Sequence, residues 1–325
     1  MRTLKYSQAI NEAFHQIMER HPDVFQIGVG VNSPWYVGQT TRGLVDLFGE
    51  ERMYDTPVSE NGIMGMAVGA AMAGKRPIIT FPRMDFMYYA MDQICNHAAL
   101  LSYTFGGRIA IPVTIRGIIN RGGEQAAQHS QALQSMFAHI PGMIVAMPAD
   151  AHDAKGMMIA AVEQNSPVLY IDDRWLYDTA TEVPDEYYAA PLVGAKVIRE
   201  GRDITIVASS YMVLEATKAA DELAERGVNA EVIDLRIVKP IDSAAILRSI
   251  ARTGRLLIAD GGWRTCGVAA EISAIAADEG FHSLKAPVAR VTLPDIPAPA
   301  APSLEQCYYP GSSDITREAI RLVNG

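Results

Sequence analysis

Three side chains in this sequence have the type and setting to do chemistry: a carboxylate, Glu60, an aromatic ring, Phe86, and an imidazole, His129. Glu60 opens a run to Gly74 that is otherwise almost entirely small or apolar, with Gly62, Gly65, Ala67, Gly69, Ala70, Ala71 and Ala73 in it. That composition predicts a helix buried closely against another backbone. A carboxylate at the mouth of such a helix is costly unless something pairs with it. It can serve the free N–H groups and positive dipole end of the helix, or it can hold a proton for a ligand. Burial beside apolar residues raises a carboxyl group's proton affinity and suits the second use.

His129 follows the glycine-bearing run Arg121-Gly122-Gly123-Glu124-Gln125 and stands in Ala126-Ala127-Gln128-His129-Ser130-Gln131. This reads as a mobile loop at a strand end, where α/β folds place their ligands. A histidine there is either a general acid or base that also stabilises charge developing on a substrate, or an exposed side chain with no task. Phe86 is either plain core or a flat face for a heterocycle. Tyr88 and Tyr89 follow it, and the sequence assigns them no role. His139, beside Pro141 and Gly142, reads as a turn residue, and the remaining histidines form no constellation.

The elements that must position these groups show as β-branched runs alternating with helical stretches. Strands are expected at Pro77 to Phe81, Ile109 to Ile115, Met143 to Met147 and Val168 to Ile171, with helices starting near Asn61, Met87, Ala132 and Ala151. The alternation predicts an α/β fold with a doubly wound parallel sheet. From Asp173 to about Gly194 the pattern lapses into an acidic, proline-containing stretch that reads as a surface linker. A second, smaller α/β unit follows, with strands at Ile204 to Ala208, Ala230 to Ile233 and Arg255 to Ala259 and a helix from about Met212 to Arg226. Two domains are therefore expected, residues 1–185 and 186–325.

Composition excludes several function classes. The 325 residues, 49% hydrophobic and 20% charged, are enough for a large core. A net charge of -9 argues against a nucleic-acid surface, and no apolar run approaches a membrane span. The first residues lack the apolar segment of a signal peptide, so a cytoplasmic location is expected. Cys95, Cys266 and Cys307 are too widely spaced for a disulfide framework or a zinc site.

Several separated motifs carry a resemblance. Asp55-Thr56-Pro57-Val58-Ser59-Glu60, Phe86, Ala90-Met91-Asp92-Gln93-Ile94, Ala126 to Gln131, His139-Ile140-Pro141-Gly142, Val232 to Arg236, Pro240-Ile241-Asp242 and Tyr308-Tyr309-Pro310 occur in one register along nearly the whole chain. In that order they resemble the beta subunit of the thiamine-diphosphate-dependent 2-oxo acid dehydrogenases, a transketolase-like group with pyruvate, branched-chain and acetoin dehydrogenase components. The resemblance implies a pyrimidine-binding domain followed by a transketolase C-terminal-like domain. It gives Glu60 the contact to the aminopyrimidine ring nitrogen that promotes the cofactor's own proton transfer, Phe86 the stacking face, and His129 an active-site role.

The same resemblance implies a partner. The family's diphosphate and magnesium site needs Gly-Asp-Gly followed by an Asn, and this chain lacks it, since Asp260-Gly261-Gly262 follows Ala259. An alpha subunit is expected to hold most of the magnesium site in an α2β2 tetramer, and no metal ligand is assigned to this chain. A lipoyl acyltransferase core and a small 2-oxo acid complete the implied partners. In several relatives an acidic residue near a structural potassium ion stands at the position of Gln164. Where relatives carry acids after the first strand's glycine, this chain has Gly28-Val29-Gly30-Val31, and Thr80 replaces a frequent glutamate beside an unusual Arg83. Three functions stay open: decarboxylation of a 2-oxo acid with acyl transfer to a lipoyl acceptor, non-oxidative carboligation or ketol transfer, and a non-catalytic assembly subunit.

Overall fold

The computed structural model describes residues 2–33, 35–123 and 125–325. Met1, and Glu124 of the loop before His129, lie outside them. The chain divides into two compact units, Met1–Arg121 with Gln128–Leu192, and Val193–Gly325 with Gly122–Ala127.

The first unit runs β1 (Arg2–Lys5), α1 (Tyr6–Arg20), β2 (Val24–Gly28), α2 (Leu44–Phe48), β3 (Met53–Asp55), α3 (Glu60–Met72) and β4 (Arg76–Phe81). After a 3-10 turn, Met84–Ala90, and a π-helical stretch, Gln93–Ala98, come α4 (Leu101–Thr104), β5 (Thr114–Ile119), α5 (Gln134–Ala138), β6 (Ile144–Ala146), α6 (Ala151–Glu163), β7 (Val168–Asp173) and β8 (Ala180–Val183). Its main sheet is ordered β6-β7-β5-β4-β2-β3 with every neighbour parallel. Every residue of β5 and β7 is buried, as a sheet covered on both faces requires. Helix α1 buries Tyr6, Ala9, Ile10, Ala13, Phe14 and Ile17, the apolar stripe of an amphipathic helix, and packs on α6.

The second unit contains β9 (Lys196–Arg199), β10 (Ile204–Ala208), α7 (Tyr211–Glu225), β11 (Ala230–Asp234), β12 (Ile237–Lys239), α8 (Ser243–Thr253), β13 (Leu256–Trp263), α9 (Val268–Asp278), β14 (Ala289–Leu293), α10 (Pro302–Tyr308) and α11 (Ser312–Asn324). Its sheet is ordered β14-β13-β10-β11-β9, parallel except for the edge strand β9. Inside it Thr205 shares hydrogen bonds with the Ser249 and Thr253 hydroxyls, at 2.5 and 2.8 Å.

Three expectations are corrected. Strand β5 starts at Thr114 rather than Ile109, because Pro112 has no N–H to give a central strand. The stretch after Asp173 is not a surface linker throughout. Asp173 ends β7 and is fully buried, Tyr177 is buried, and β8 pairs antiparallel with β1. Asp172 and Asp173, where this stretch begins, are internal because each has a cation: Arg116 forks onto Asp172 at 3.0 and 2.7 Å, and Arg121 reaches Asp173 at 2.7 Å, whereas Asp178, Glu182, Asp185 and Glu186 beyond them are exposed. Finally, α3 is not buried all round. Ile63, Met64, Ala67, Val68 and Ala71 face the sheet, while Gly62, Met66, Gly69 and Met72 are exposed in this chain. Its composition is apolar on every side, so the sequence carries no periodicity to separate the two faces.

Candidate active site

Strands β2, β3 and β4 end side by side, and the chain after β3 turns into α3 so that Glu60 is the first residue of that helix. These carboxyl ends frame a cavity of about 570 Å³ in the first unit, lined by Glu60, Phe86 and His129 together with Val29, Tyr36 and Thr80. Position 28 must be glycine: it pairs with Thr80 across the strands, and a Cβ there would lie 2.4 Å from the Thr80 carbonyl oxygen. At Gly30, with φ of +70°, a Cβ would meet the Tyr36 ring at 2.3 Å, and the Gly30 N–H donates to Asp55 Oδ1 at 2.7 Å. The tight turn that results places Tyr36 at the cavity.

Glu60 is half-buried and its carboxylate makes no hydrogen bond or ion pair among the described residues. The cap residue, Ser59, makes no side-chain bond to the helix either. The free N–H groups and the dipole at this end therefore favour the Glu60 carboxylate without a protein partner engaging it. A hydrogen-bonding group at the start of an apolar helix is left for whatever enters the cavity.

Phe86 and His129 meet edge to face, with ring centroids 5.5 Å apart and planes at 88°. Tyr89 stacks offset beside Phe86 at 6.5 Å and also lines the cavity. Phe86 sits on the 3-10 turn after β4. Next to it Asp85 is buried, and its Oδ1 accepts from the Gln131 N–H at 3.2 Å. Burial pushes the Asp85 carboxyl up, while the Gln131 N–H and the nearby His129 draw it back. Tyr88, from the same turn, donates to Gln131 Oε1 at 3.2 Å.

The three residues singled out from sequence thus come together around one cavity, although they are widely separated along the chain. Tyr36, Val29, Thr80 and Tyr89 are among the other residues that line it. Val29 and Thr80 stood out in the sequence only as departures from the family pattern, and no sequence signal marked Tyr36. Thr80 is 2% exposed, and its hydroxyl has no hydrogen-bond partner among the described residues. Arg83 is outside the lining. Its guanidinium lies 5.6 Å from the Tyr36 ring centroid and donates to the Pro82 carbonyl at 3.0 Å. Burial pulls its proton affinity below the ordinary value, and Arg174 adds to the effect.

The lining contains one carboxylate and one imidazole and no set of oxygens suited to a hard cation. At the end of α6, near Gln164, the Arg76 guanidinium donates to the Val162 and Gln164 carbonyls at 2.8 and 2.9 Å and to Asn165 Oδ1 at 2.8 Å. Oxygens offered there are engaged by a cation of the chain itself.

Residues 2–178 match the transketolase pyrimidine binding domain, and residues 194–315 the transketolase C-terminal domain. The beta subunit of acetoin:2,6-dichlorophenolindophenol oxidoreductase from Bacillus subtilis (strain 168) is 40% identical, across 99% of this chain and 98% of its own length. Beta subunits of the pyruvate dehydrogenase E1 component are 39% identical in Rickettsia felis, across 97% of each chain, and in Arabidopsis thaliana mitochondria, across 96% of this chain and 87% of that one. The chain belongs to the transketolase-like family of E1 beta subunits. A split gene transketolase, solved as an inactive beta4 tetramer, shares its fold, with a TM-score of 0.81 at 22% identity over 99% of this chain and 98% of that one. Among the described residues no helix is long and apolar enough to cross a membrane.

Proposed function

We propose that this E1-type chain is the beta subunit of an α2β2 thiamine-diphosphate enzyme that decarboxylates a 2-oxo acid and passes the acyl group to a lipoyl acceptor. The observation that carries the proposal is the Glu60 carboxylate at the start of α3, unpaired among the described residues and lining a cavity that also holds Phe86 and His129. The cavity fits the pyrimidine half of the cofactor: one acid for a ring nitrogen, one aromatic face, and a buried Thr80 hydroxyl awaiting a partner.

In this reading Glu60 holds a proton between its carboxylate oxygen and the ring nitrogen of the bound pyrimidine. When bound, thiamine diphosphate supplies the electron sink that lets carbon dioxide leave a 2-oxo acid. Phe86 orients the heterocycle with its ring face, and Tyr36 and Tyr89 exclude water from the same side. His129 transfers a proton to, or stabilises charge on, the substrate at the loop side of the cavity. In this reading the diphosphate and magnesium are held mainly by an alpha subunit, since this chain lacks the Gly-Asp-Gly motif that would bind them. Residues 1–185 form the pyrimidine-binding domain and 186–325 the transketolase C-terminal-like domain of a cytoplasmic complex.

One observation favours a second reading, carboligation or ketol transfer without a lipoyl acceptor: Val29 and Thr80 leave Glu60 as the one carboxylate in the lining. The test is calorimetric titration of thiamine diphosphate with magnesium into the chain alone and into the chain assembled with an alpha-type partner, followed by turnover of 2-oxo acids with and without lipoyl acceptor. Tight binding only in the assembly, with acceptor-dependent product, is the expected result. Turnover without acceptor selects the second reading, and absence of binding in both samples overturns both.

A further inference from the structure

We propose that Asp85 is a positioning residue that fastens the His129 segment onto the Phe86 ring. The proposal rests on the reading of Glu60, Phe86 and His129 as the reacting site. Asp85 stands between Met84 and Met87, both fully buried, on a short turn where an apolar residue would pack as well. A carboxyl group placed there costs free energy unless its acceptor oxygen is used. One of its two oxygens, Oδ1, is used by the Gln131 N–H, two residues beyond His129, at 3.2 Å, while Oδ2 is buried with no hydrogen-bond partner among the described residues.

The turn touches that segment at three points within four residues of its own sequence. Asp85 accepts from the Gln131 backbone, Phe86 meets the His129 ring edge-on, and the Tyr88 hydroxyl donates to the Gln131 side chain. Upstream, two residues past the end of β5, Arg121 is held by the buried Asp173 at 2.7 Å. Between these anchors Gly122 and Gly123 are in the left-handed region, with φ of +64° and +62°, and Ala126 with φ of +56° joins them. Asp85 supplies the downstream hold, and it does so from the residue next to the ring that His129 must face.

The role requires an acceptor atom at Asp85 rather than a charge. Asp85→Asn keeps an acceptor oxygen in place, whereas Asp85→Ala removes it. In the full-length chain, hydrogen exchange of the Gln131 amide should be at least tenfold faster in Asp85→Ala and unchanged in Asp85→Asn. In the enzyme assembled with its alpha partner, Asp85→Ala should lower kcat at least tenfold with less than a twofold change in thiamine diphosphate affinity, and Asp85→Asn should restore it. If Asp85→Ala does not fold, Tyr88→Phe cuts the second tie to Gln131 and is expected to give a smaller change of the same kind. Unchanged exchange in Asp85→Ala, or equal losses in the alanine and asparagine variants, overturns the proposal. If the assembled wild type shows no cofactor-dependent turnover, the functional reading fails while the exchange result still decides the role of Asp85.

Discussion

Replacing Glu60 with glutamine separates the fold from the chemistry. The Glu60 carboxylate has no hydrogen-bond or ion-pair partner among the described residues and is only half-buried, so the amide removes no contact within the chain. The Glu60 charge does meet the positive end of the α3 dipole, so stability should fall by no more than about 1 kcal/mol. For a chain of this size that is a melting shift of at most about 2–4 °C. The reaction should suffer far more, because glutamine cannot take or return a proton. A lost acid-base group costs about a hundredfold or more in rate. At 1.36 kcal/mol per decade, that is about 2.7 kcal/mol of barrier. The assay pairs thermal melting of the chain with steady-state turnover and cofactor titration of the assembled enzyme. Unchanged turnover with cofactor bound would refute the catalytic role and favour an assembly subunit, whereas a melting loss beyond about 5 °C would show that Glu60 holds the fold.

Other outcomes follow from neighbouring geometry. Gly28→Ala places a Cβ 2.4 Å from the Thr80 carbonyl, so the floor of the cavity must shift, at a cost of about 1–3 kcal/mol; urea unfolding with unaltered midpoint and unaltered cofactor affinity would contradict this. Asp172→Asn leaves the fully buried Arg116 without its counter-charge and should destabilise the first unit by about 3–5 kcal/mol, and a loss under about 1 kcal/mol in the same measurement would show the pair to be dispensable. Burial raises the Asp85 carboxyl above its ordinary 3.8, so the folded chain binds that proton more tightly than the unfolded one. Its contribution to stability is then full below the ordinary value and is lost as pH rises through the raised one. Asp85→Asn should therefore gain stability relative to wild type on going from acid to neutral pH, and parallel stability-pH curves for the two proteins would refute the shift.

How much was legible in the sequence differs from element to element. Strand β10 and the start of α6 lie where the β-branched runs and the flanking polar residues put them, because each depends on local pattern. The start of β5 was missed because an apolar run carries no mark of where pairing begins, and Pro112 outweighed it. The interior of Asp172 and Asp173 was hidden because acidic residues are ordinarily exposed, and their burial depends on Arg116 and Arg121, which lie some fifty residues earlier in the chain.

For the site, residue types and motif order were enough to single out Glu60, Phe86 and His129. Those choices need only the chemistry of a carboxylate, a ring and an imidazole in recognisable local settings. What the sequence could not hold is that, among the described residues, Glu60 is left without a partner and the buried Thr80 hydroxyl is unused, and that the turn at Gly30 places Tyr36 at the cavity. Nor could it place Asp85 under the segment that carries His129. Each of these is a contact between residues distant along the chain, and such contacts exist only once the parallel strands have been aligned and their carboxyl ends brought to one edge.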